Sequence, residues 1–166
     1  TVSGYGSPTD GSTILALVGV GAMTAGFIFG RIVGITKQHT LTLSLLLLGF
    51  SMFLISLSNS VLLTGIAAVL SGFAFRTLFP YLLNKVNQVP SKNTNLFNSL
   101  ILVAFNIGVA FSPFGLAFIT TVTNGEPREL FLLESGILLG FSVVGFAYST
   151  GINFKNKRVA IESVND

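Results

Sequence analysis

Five long apolar blocks, set apart by short polar stretches, run along the chain: residues 13–35, 41–57, 61–83, 96–119 and 130–152. Each block holds about 17 to 24 residues, close to the ~20 that a helix needs to cross a hydrocarbon core about 30 Å thick. A closed barrel, the other way to span a bilayer, needs apolar and polar residues to alternate over segments of about ten, and these blocks do not alternate. The pattern predicts an all-α fold, a polytopic membrane helix bundle with five transmembrane helices. Residues 1–12, rich in Gly, Ser and Thr and without an apolar period, read as an external loop. Residues 153–166 read as a cytoplasmic tail. With no initiator Met and no positively charged leader at its start, the sequence reads as a piece of a longer protein.

Composition agrees with a bilayer as the main solvent. Of 166 residues, 51% are hydrophobic and only 9% charged, against roughly 25% charged in a soluble domain, and the mean hydropathy is +0.79. The net charge of +3 does not point to nucleic acid, because the basic residues stand singly between apolar blocks and form no basic face with stacking aromatics. Their use is topological. Lys37, Lys85, Lys92, Lys155, Lys157 and Arg158 fall on one side of the predicted membrane and Arg128 alone on the other. Basic loops stay in the cytoplasm, so the chain is expected to begin outside and end inside, in the plasma membrane. With no cysteine, disulfides, thiolate metal sites and cysteine nucleophiles are excluded.

Within the blocks, small and polar residues carry the information. The second block, rich in Leu and free of ionisable groups, is expected to face lipid. In the first, Ala22, Gly26, Gly30 and Gly34 recur every fourth residue, a row on which another helix can pack closely. In the third, Gly65, Ala68, Gly72 and Arg76 share a face by three- and four-residue steps. A guanidinium at membrane depth either lines a watery path or snorkels to the headgroups, and both readings stay open for Arg76. Pro80, four residues on, is expected to kink that helix. In the fourth block Asn95, Ser99, Asn106 and Pro113 lie near one stripe. Asn106 is mid-span, where its amide serves either interhelical bonding or a path.

Catalytic chemistry has no foothold. No Ser, His and carboxylate set converges, no metal-ligand spacing appears, and no cofactor is expected. The Gly19-Val20-Gly21 run with Gly26 lies inside an apolar block and lacks the strand that a dinucleotide loop requires. Glu134, about a turn into the fifth block, is read as a headgroup-level carboxylate or a partner of Arg128, and His39 as a solvated loop residue.

Two stretches carry a family resemblance. Gly26-Phe-Ile-Phe-Gly30-Arg31-Ile-Val-Gly34-Ile-Thr-Lys37 resembles the inner-loop signature of the major facilitator superfamily, with Arg31 and Lys37 in the basic positions and the signature's usual Asp absent. The run from Asn106 and Gly108 to Pro113 and Gly115 is similar to the bent fifth helix of a half of that fold. The resemblance implies the C-terminal half of a twelve-helix major facilitator fold without the first helix of that half. It implies a secondary active transporter that moves a small-molecule substrate by alternating access, commonly on a proton gradient. The missing N-terminal half would supply the other wall, and Arg76, Ser99 and Asn106 would line the path. The alternative is a non-catalytic membrane scaffold or assembly subunit, in which the glycine rows and polar stripes serve helix association alone.

Overall fold

The polar turns fall where helices must stop. A computed structural model describes the backbone of residues 6–88 and 93–165, with side chains through residue 151. Five α-helices follow one another: α1 (Pro8–Thr36), α2 (Thr40–Leu57), α3 (Val61–Asn87), α4 (Thr94–Val122) and α5 (Pro127–Asn165). Helix α1 starts earlier than the apolar pattern predicts because Ser7 and Asp10 form a reciprocal capping box around Pro8. At the other end of the chain α5 continues through the predicted tail to Asn165. Helix α4 stops at a tight reversal in which Asn124 and Gly125 take positive φ (52° and 77°) and the Gly125 N–H returns to the Thr120 carbonyl.

Among the described residues four stretches are long and apolar enough to cross a membrane: Pro8–Leu57, Val61–Asn87, Thr94–Val122 and Pro127–Gly151. The first holds both α1 and α2, joined by a 3-10 turn at Lys37–His39. It doubles back. Unbroken helix would set Asp10 about 70 Å from Ser56, yet Asp10, Gly11 and Ile14 line one cleft with Ile55, Ser56 and Ser58. The reversal is built on Lys37, whose φ of 48° and ψ of −117° match the first central position of a type II′ turn. Residues 61, 64, 126, 127, 128 and 131 line the same cleft. Helices α1, α3 and α5 therefore begin at one end of the bundle, called here the first end, and α2 finishes there.

The packing order is α1, α3, α2, α5, with α4 set lightly against α3. At the α1–α3 crossing the backbones nearly touch: a Cβ on Gly21 would collide with the Val69 carbonyl, and one on Gly72 with the Val18 carbonyl. Ala25 and Ala68 complete that seam. Helix α2, expected to face lipid, is buried on two sides instead. Thr42, Gly49 and Ser56 recur every seventh residue and are buried, while Ser135 and Ser142 do the same on α5. These short side chains let α2 and α5 approach, with Leu139 seated on Gly49 and the Ser142 hydroxyl donating to the Thr42 carbonyl at 3.1 Å. Other buried hydroxyls turn back on their own helices, Ser51 to Leu48, Ser56 to Phe53, Ser71 to Ala68 and Thr77 to Phe73.

Candidate functional site

Size and polarity are distributed inside out. Among the described residues the buried hydrophobic side chains are Ala25, Ala67, Ala68, Ala74 and Tyr81, whereas Leu15, Phe27, Ile35, Leu62, Phe114 and Phe118 stand largely exposed. In water the large residues would collect inside; in lipid, association relies on close packing of small ones. Against that background an exposed polar side chain at mid-helix is the anomaly.

Arg76 is such a residue. It stands exposed on α3, with no ion pair or hydrogen bond among the described residues. The face shared with Gly65, Ala68 and Gly72 divides along its length. The glycines are buried against α1, but Arg76, a turn beyond Gly72, is exposed. Helix α4 arrives there. The Phe105 ring stacks at a tilt against Phe79 (5.0 Å between centroids) and Phe75 (6.3 Å). Nearer the opposite end the Asn98 side-chain amide donates to the Asn87 side-chain oxygen, Oδ1, at 2.7 Å. One residue around from Asn98 and Phe105 come Ser99 and Asn106, both exposed. Arg76 and Asn106 thus flank the same aromatic contact, while Ser99 lies two turns farther along α4. No bond joins the three: the Asn106 amide donates to its own helix, to the Leu102 carbonyl at 2.7 Å.

Each of the two helices is weakened by a proline, α3 at Pro80 beside Phe79 and α4 at Pro113, about 12 Å along the helix from Phe105. Pro80 deprives the Arg76 carbonyl of its usual N–H donor, and Pro113 does the same to Val109. The Ser112 hydroxyl compensates the second at 2.8 Å. Helix α4 has no buried residue anywhere along its length.

The other predicted positions separate. Ala22 is half-buried beside the α1–α3 seam, but Gly26, Gly30 and Gly34 are exposed, with open space where a Cβ would stand. They are not a contact within the described bundle; α1 uses Gly21 and Ala25 instead. Arg31 is exposed in the last turns of α1, and Lys37 makes the reversal. His39 is not a solvated loop residue. It is half-buried, with Nδ1 3.0 Å from the Ser149 hydroxyl and its ring on Phe146, tying the turn to α5. Glu134 forms no ion pair with Arg128. It faces α4 instead, across a gap lined by Ser112, Pro113, Gly115, Leu116 and Ile119. Among the described residues no cluster of His, Cys, Asp or Glu could hold a metal ion.

Fold and surface together define a helical membrane protein. No family model matches the chain, and neither a curated protein nor a solved structure does.

Proposed function

We propose that the chain forms one wall of a secondary transporter of the major facilitator type, moving a small solute by alternating access on a proton gradient. In this reading the Pro8–Leu57 run crosses the bilayer twice, giving five spans, with the first end outside the plasma membrane. The observation that carries it is the pairing of exposed Arg76 and exposed Asn106 around one aromatic contact at membrane depth. Exposure of a guanidinium to hydrocarbon costs at least about 2.5–3.5 kcal/mol. An aqueous path removes that cost and gives both groups a solute to bind. Proline-weakened helices on both sides of the contact suit a wall that must bend.

The test is uptake of labelled small solutes, under an imposed pH gradient, into cells carrying the full-length protein. Arg76→Ala is expected to abolish uptake at normal membrane abundance. Arg76→Lys should restore only part of it, because a planar two-pronged donor is replaced by a point charge. Undiminished uptake by Arg76→Ala would count against the path. The exposed row of Gly26, Gly30 and Gly34 favours a second reading, a scaffold that recruits another membrane helix. There both Arg76 variants would behave alike and Gly30→Leu would break the assembly.

A further inference from the structure

A carboxyl inside the bilayer must be neutralised, and among the described residues nothing is in place to do it for Glu134. It lies seven residues into α5, about 10 Å below the helix start, and it is half-buried. Its neighbours across the gap are a hydroxyl, a proline, a glycine and two aliphatic side chains of α4. Helix α4 carries no ionisable residue, and neither does α2, the helix packed on the other side of α5. On α5 itself the nearest charges are Arg128 and Glu129, both exposed in the first turn, and among the described residues no ion pair reaches Glu134. A bare carboxylate here meets the penalty for charge at membrane depth, and protonation removes it.

From this placement the geometry points to Glu134 as a proton-binding carboxyl in the α4–α5 gap, taking up a proton from the first end and facing the segment of α4 that Pro113 weakens. The inference rests on the transporter reading and deepens it by naming the coupling residue. A metal cation is a poor occupant. It needs a cage of several oxygens, and the one hydroxyl in the gap, on Ser112, already donates to the Val109 carbonyl. Helix α4 is also the element that carries Asn106 and Ser99, so a change of charge at Glu134 acts on the wall of the proposed path. The proton moves between bulk water at the first end and a carboxylate oxygen, and no other bond changes.

The experiment uses dicyclohexylcarbodiimide, an apolar reagent that couples to protonated carboxyls, on the protein in lipid vesicles, with peptide mapping by mass spectrometry. The expected result is a label on Glu134 that falls as the pH is raised, is absent in Glu134→Gln, and is unchanged in Arg128→Gln and in added sodium. Absence of label on Glu134 across the pH range overturns the proposal, and the wild-type map decides this without any variant. Label that rises only in Arg128→Gln would show an ion pair, and protection by sodium a metal site; either also overturns it. In the same vesicles an impermeant thiol reagent is applied to Asn106→Cys. Reaction at position 106 without label on Glu134 removes the proton site and leaves the transporter reading standing, whereas failure to react at 106 strikes that reading itself.

Discussion

Lys37 was legible in the sequence as a charge and not as a turn. Nothing in its residue type marks a left-handed backbone, because Gly is the ordinary occupant of positive φ and Lys seldom adopts it. The structure gives it φ 48° at the point where the helical run from Pro8 folds back on itself. Removing the strained Cβ should help. Lys37→Gly is expected to stabilise the protein by about 1 kcal/mol, measured by reversible unfolding in detergent, because strain of this kind is worth roughly 1–3 kcal/mol and glycine's greater freedom when unfolded returns part of it. A loss of stability would mean that the lysine head makes a contact worth more than the strain. Arg76 is the converse case. Its place in an apolar block is plain from the sequence, but its exposure is not, because the face it shares with Gly65 and Gly72 is buried a turn earlier and open at Arg76.

At the scale of the element, the four-residue period marks a row of small residues on α1, and the close seam within the described bundle lies beside that row and not on it. Ala22, Gly26, Gly30 and Gly34 lie on one side of α1, yet the collision that forces close approach involves Gly21 against Val69 and Gly72 against Val18. A sequence shows which residues share a face and not which face a partner chooses. The seven-residue spacing of Thr42, Gly49 and Ser56 was equally available. It was hidden by the leucines between them, which fill the lipid-facing surface of a helix whose small residues are buried. Gly72→Leu is therefore expected to separate α1 from α3 and to cost more than the ~1–3 kcal/mol of ordinary overpacking, since the obstacle is backbone and cannot rotate away. Gly30→Leu should change the stability of this bundle by no more than about 0.5 kcal/mol. Unfolding of both variants side by side checks the pair, and equal losses would contradict the assigned seam.

For the whole molecule, the all-helical class and the approximate positions of the helices followed from length and apolarity alone, because a bilayer favours long apolar helices. The way the helices associate did not follow, because the bilayer rewards shape and not hydrophobicity at the seams. The same physics leaves α4 as the least supported element, a helix without a buried residue whose polar stripe of Ser99 and Asn106 lies beside the aromatic contact with α3. If that stripe faces water within the membrane, the chain lines a path; if it faces lipid or protein, it does not. Single cysteines placed through residues 96–119 answer this directly, since the chain has none of its own to give background. Reaction with an impermeant thiol reagent should rise and fall with the helical turn, strongest at positions 99 and 106 and weakest at 104 and 108 on the opposite face of the helix. Uniform protection along α4, or strong reaction at 104 and 108 with none at 106, would contradict the account.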